Sequence, residues 1–202
     1  MAPPVVVADA DVLFGATTRA LLIYLDYDGI LKLHWSAEIL QEMSAALLRH
    51  GRQKSPAAAR ANERRMNASL PAALLDPTRL ADRIPAAAPF VADPDDAHVL
   101  ACAFELLEGS CYKGLSTVVL TTRNLSDFHG SLLQIRGVQV LHPDALLVAL
   151  PVTDLARSFR SLRLDLARET DAQALLERLA RDGQVMTAAA LCKAAEAGTV
   201  TL

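Results

Sequence analysis

Near the start of the chain, Val5-Val6-Val7-Ala8 is an unbroken apolar run rich in β-branched residues, and it ends on Asp9. A strand with one wet face alternates apolar and polar residues. An unbroken run instead suits a strand covered on both faces, as in a parallel sheet between layers of helices. Thr117-Val118-Val119-Leu120-Thr121-Thr122 is a second such strand, and Val138-Gln139-Val140-Leu141 a third. Helical segments alternate with them, which predicts an α/β fold with a mostly parallel central sheet flanked by helices over residues 1–150.

The helices are marked by their caps. Residues 12–26 read as one helix ended by Gly29, and Ser36 is an N-cap for a helix carrying Ile39, Leu40, Met43 and Leu47 on one face. Ser55-Pro56 starts another helix, Asp76-Pro77 marks a short helix or turn, and Asp93-Pro94 opens one running through Leu107. After Pro151 the pattern is purely helical, near 153–168, 171–182 and 185–197, with Gly183 and Gly198 where C-caps fall. Residues 151–202 are therefore expected to be a helical C-terminal extension.

Composition narrows the function classes. The net charge of −3 gives no global attraction to nucleic acid, so any such contact needs a local basic patch. Aromatics at 4% argue against a surface that grips single strands mainly by stacking. Cys102, Cys111 and Cys192 form neither a zinc motif nor a disulfide framework, which points to a reducing cytoplasm. No run approaches the roughly 18–20 apolar residues of a membrane span, so none is expected.

The polar residues at the strand ends sketch a site. Asp9 ends the first strand and Asp11 is two residues on; Thr122, Asn124 and Asp127 follow the second. In open α/β sheets, ligands bind outside the carboxyl ends of the strands. Asp96 precedes Val99, Leu100 and Ala103 by three, four and seven residues and so leans toward the apolar stripe of its helix. Asp95 points sideways and Asp93 is the better N-cap. Glu42 lies at the margin of the face made by Ile39 and Met43. Carboxylates drawn into one partly buried pocket stay ionised only beside a cation. Hard oxygen ligands without Cys or His select magnesium or manganese, which suits phosphodiester hydrolysis.

In this order, "VVVADADVLF", "WSAEILQEM", "DPDDAHVLACA" and "VVLTTRNLSDF" resemble the blocks of PIN domains, in particular bacterial VapC-type toxins. The resemblance covers about residues 5–150. It implies a three-layer PIN-like fold and an endoribonuclease that cleaves RNA with a water nucleophile. It also implies Asp9, Glu42 and Asp96 as holders of Mg2+ or Mn2+. The family often places a fourth acid just after the strand threonine; here Asn124 stands there, with Asp127 three residues later, so the fourth catalytic position is open between them. Relatives commonly carry asparagine at the position of Asp11, which is either an added outer acid or a helix N-cap. Thr122 is expected to orient a ligand or water. The resemblance further implies a small antitoxin partner and a homodimer.

The segment 49–65 holds Arg49, Arg52, Lys54, Arg60, Arg64 and Arg65 against the single acid Glu63. It is a solvated helical face that, close to the pocket, would hold RNA phosphates in a salt-sensitive way. None of the five histidines is assigned to catalysis. Two other functions compete. Asp9-Ala10-Asp11 after an apolar strand also fits haloacid-dehalogenase-type phosphatases. Those need a threonine, then a lysine, then paired acids, whereas Asp95-Asp96 here precede Thr121-Thr122 and only Lys193 follows. A PIN-like interaction module with a weakened pocket is the other.

Overall fold

The structure, a computed structural model, describes residues 2–166 and 170–202. Four strands, β1 (Val5–Ala8), β2 (Lys32–His34), β3 (Val118–Thr121) and β4 (Val138–Leu141), form one all-parallel sheet in the order β2-β1-β3-β4. From β1 the chain crosses through α1 (Ala10–Phe14) and α2 (Ala16–Tyr27) to β2. It returns through α3 (Ala37–Arg49), α4 (Pro56–Ser69), α5 (Pro77–Ala81), α6 (Ile84–Ala87) and α7 (Ala97–Glu108) to β3, on the other side of β1. α8 (Gly130–Ile135) then leads to β4. The winding thus reverses between β1 and β3, and their carboxyl ends open onto a crevice where such sheets bind ligands.

The three-layer α/β architecture follows from burial. All four residues of β1 and of β3 are buried, as their apolar runs require. On α3 the stripe Ile39, Leu40, Met43 and Leu47 is buried, and the Ser36 hydroxyl accepts the Ile39 N–H at 3.1 Å. Ser55 and Asp76 cap α4 and α5 through the N–H groups of Ala58 and Thr78. The Asp93 carboxylate accepts the Asp95 N–H at 3.0 Å, and the first turn after it is a tight 3-10 turn over Pro94–Asp96 that leads into α7.

One local expectation changes, and two short elements were not foreseen. The helix expected over 12–26 is two helices, because Gly15 takes an extended conformation (φ −68°, ψ 111°) that interrupts the helix. β2 is only three residues long and starts on Lys32, too short to carry a periodicity. The residues after β4 form a further short helix, α9 (Pro143–Val148).

The extension consists of α10 (Val152–Asp165), α11 (Ala172–Arg181) and α12 (Val185–Glu196); the expected end of its first helix at 168 lies outside the described residues. It does not build a core of its own. Leu155, Phe159 and Leu162 of α10, Leu175 and Leu179 of α11 and Leu191 of α12 join the same buried cluster as the strands. One side chain fastens α12: the buried Asp144 carboxylate accepts the N–H groups of Met186 and Thr187, both at 2.8 Å, and the Thr187 hydroxyl at 2.6 Å. These are the donors a helix start leaves open, and Asp144 satisfies them from a distant part of the chain. No helix among the described residues is long and apolar enough to cross a membrane. The three cysteines are free thiols.

Candidate active site

A cavity of about 570 Å³ opens at the crevice between β1 and β3, lined by Asp9, Asp11, Phe14, Glu42, Arg49, His50, Asp96, Arg123 and Asn124, among others. Asp9 directly follows β1, its N–H extending the ladder to the Thr121 carbonyl at 3.0 Å. It also occupies the N-cap of α1, where its Oδ1 accepts the Ala10 N–H at 2.6 Å. Cap and pocket roles therefore fall on one carboxylate. Asp11, for which capping was the alternative, lies inside the first turn of α1, whose N-cap is Asp9. Its Oδ2 instead accepts the Arg123 N–H at 2.9 Å, across the mouth of the sheet.

Thr122, fully buried at the end of β3, ties these acids together. Its hydroxyl donates to Asp9 Oδ2 at 2.8 Å, stands 3.4 Å from Asp11 Oδ2, and accepts the Asn124 N–H at 3.1 Å. Asn124 lines the cavity beside it. Asp127 sits in the turn beyond, where its N–H donates to the Asn124 carbonyl and its own carbonyl accepts the Ala92 N–H. It shapes the loop, and its charge also acts on Asp96.

Glu42 comes from α3 and Asp96 from the turn that starts α7, so four elements deliver the acids. Their charges oppose one another. Burial, then the charge of Asp11, pushes the Asp9 carboxyl from 3.8 up to about 7, although Thr122 and the Ala10 N–H pull the other way. Burial raises Asp11. Asp96 is raised by burial and then by Asp127. Glu42 is pushed to about 7 by burial and then by Asp9 and Glu38. Its side chain keeps 46% of its exposure, so water screens these charges more than at Asp9. Beneath it, His98 Nε2 lies 3.3 Å from Glu42 Oε1. Burial lowers the pKa of that histidine, so at neutral pH the contact is polar and not an ion pair.

The donor set fits a hard divalent cation. It is made of carboxylate oxygens, and Asp11 Oδ1 is buried without a hydrogen-bond partner. Among the described residues no three His, Cys, Asp or Glu side chains already stand close enough to form a metal cage.

The basic segment divides. Arg49 reaches the cavity wall, and the Arg52 guanidinium sits 4.4 Å above the Phe14 ring at its edge. Arg60 and Arg64 project from the exposed side of α4, and Lys54 is exposed in the loop before it; none of the three lines the cavity. Two cavity residues, Arg123 and His50, escaped sequence reasoning. Arg123 had a usable signal, since it stands between Thr122 and Asn124 at the end of a buried strand. His50 had none, being the residue on which α3 happens to end. Comparison with protein-family models, with curated proteins and with solved structures returned no match for this chain.

Proposed function

We propose that this chain is a Mg2+- or Mn2+-dependent endoribonuclease of PIN type. The observation that carries the reading is the gathering of Asp9, Asp11, Glu42 and Asp96 on one cavity at the winding reversal of the sheet, where burial and then Asp11 push the Asp9 carboxyl up to about 7. Like charges placed together at this cost are hard to explain structurally and simple to explain as a cation site. The motif order in the sequence supports the substrate class.

Asp9, Glu42 and Asp96 would hold the ion, with Asp11 beside them. Such an ion supplies a Lewis acid for the phosphoryl oxygens and an acidified water at neutral pH. Thr122 keeps Asp9 aimed into the cavity through its 2.8 Å hydrogen bond. Glu42, whose side chain is half exposed at the cavity, would complete that carboxylate set. Arg49 at the wall and Arg52 at the edge attract the flanking phosphates.

The test is cleavage of labelled single-stranded RNA by the full chain with magnesium or manganese. Asp9→Asn and Asp96→Asn should each cost more than about 100-fold, beyond the usual loss of an outer partner, with circular dichroism unchanged. Undiminished cleavage by Asp96→Asn rules the assignment out. Asn124, at the position where an acid is common, favours a second reading, an interaction module. Calorimetry in which the folded wild type binds neither ion would select it. A toxin role, with a small antitoxin and a homodimer, rests on the sequence resemblance. An upstream reading frame for a short DNA-binding protein would support the toxin role.

A further inference from the structure

The extension reaches the cavity through one basic side chain of its wall. Arg123 forms part of the cavity wall, and among the described residues no carboxylate lies within ion-pair distance of its guanidinium. Its Nη2 donates to the backbone carbonyl of Asp182, in the loop between α11 and α12. Its Nε is buried with no hydrogen-bond partner. A carbonyl holds a guanidinium in place without neutralising it; its charge acts through space on the Asp11 carboxyl, which burial raises and Arg123 lowers, and stands at the edge of an acidic pocket.

The loop that holds Arg123 is itself anchored to the catalytic layer. The Asp182 carboxylate accepts the N–H groups of Thr17 at 2.7 Å and Thr18 at 3.1 Å, the first turn of α2, which lacks a cap of its own. The buried Gln184 donates to the Asp182 carbonyl at 3.2 Å. Two glycines permit the approach. A Cβ on Gly15 would stand 3.0 Å from Asp182 Oδ2 and 3.2 Å from Arg123 Nη2, and Gly183 adopts φ +92°, which other residues resist.

From this geometry we infer that Arg123 contacts a phosphate of the substrate, and that Asp182 positions it, so that the C-terminal extension is a working part of the active site. Arginine suits the task because its planar fork matches phosphate oxygens and it stays charged at all working pH values. The inference rests on the ribonuclease reading and fails separately from it.

The experiment compares full-length wild type with Arg123→Ala, Arg123→Lys, Asp182→Ala and Gly15→Ala. Cleavage gives kcat and KM. Anisotropy of a labelled single-stranded RNA, in the Asp96→Asn background across a potassium chloride series, gives the salt slope. Arg123→Ala should lower kcat/KM about tenfold or more and reduce the log–log salt slope by roughly 0.7, the share of one phosphate on a single strand. Arg123→Lys should restore the slope but not kcat. Gly15→Ala and Asp182→Ala should lower kcat/KM with Arg123 still present, while calorimetric affinity for manganese stays unchanged. Should Arg123→Ala fail to fold, the lysine and Gly15 variants carry the test. A folded Arg123→Ala variant with wild-type kcat, KM and slope, and only a lower Tm, overturns the inference and leaves the nuclease reading standing. A wild type that neither binds nor cleaves RNA overturns both.

Discussion

Replacing Asp9 by asparagine should stabilise the protein in chelator, although it destroys the proposed chemistry. The folded state raises the Asp9 carboxyl from 3.8 to about 7. An acid raised in this way binds its proton more tightly when folded, so ionisation subtracts stability. That cost is absent below about pH 3.8, grows as the pH climbs toward 7, and is complete above it. At about 1.4 kcal/mol per tenfold change, it comes to about 2 kcal/mol at pH 5 and about 4 kcal/mol at pH 8. The asparagine fits the same contacts. Its oxygen accepts the Ala10 N–H, and the Thr122 hydroxyl can turn toward Asp11 Oδ2, 3.4 Å away, and accept from the new amide. Paired urea and thermal melts in EDTA at pH 5 and pH 8 read the difference. At pH 8 the variant should melt roughly 10 °C above wild type, taking 2–4 °C per kcal/mol for a chain of this size. Adding magnesium should shrink or invert the gap, because the ion stabilises only the wild type. A variant that melts below wild type at pH 8 in EDTA, or a gap that ignores pH, refutes the view of Asp9 as an electrostatically strained carboxylate.

Thr122→Val removes the donor to Asp9 and the acceptor of the Asn124 N–H in a fully buried place. It should cost about 1–3 kcal/mol in denaturant melts and weaken manganese binding by calorimetry. Asp144→Ala strips three hydrogen bonds from the start of α12 and leaves buried donors unpaired. A loss of about 3 kcal/mol is expected, with hydrogen exchange accelerating first over 185–196; a change under about 0.5 kcal/mol would show that the clamp is idle. Phe159→Ala hollows the shared core from the extension side. It should lower the stability of the whole chain by about 3–5 kcal/mol in one transition, whereas a separate early transition for the extension would mean that the two parts fold independently.

Local signals in the chain were enough for the layers and for most helix starts. The β-branched runs at Val5 and Val118 dictate buried strands because no alternation leaves a wet face. Ser36, Ser55, Asp76 and Asp93 announce helices because a short polar side chain satisfies the open N–H groups within its own turn. Part of the pocket was legible for the same reason: Asp9 and Thr122 end buried strands, and periodicity turns Asp96 inward, whereas Glu42 was carried only by the order of the motifs. Contacts made across long stretches of chain were not legible. Gly15 breaks the first helix where Asp182, more than 160 residues later, arrives to cap the second half. Nothing within a turn of Asp144 shows that α12 docks on it. Nothing beside Arg123 in the chain points to Asp182, and nothing in residues 151–202 points to the cavity. What sequence can determine is set by a residue and its neighbours within a turn or a strand. Which distant donor meets which acceptor depends on how the layers pack, and only the tertiary structure decided that.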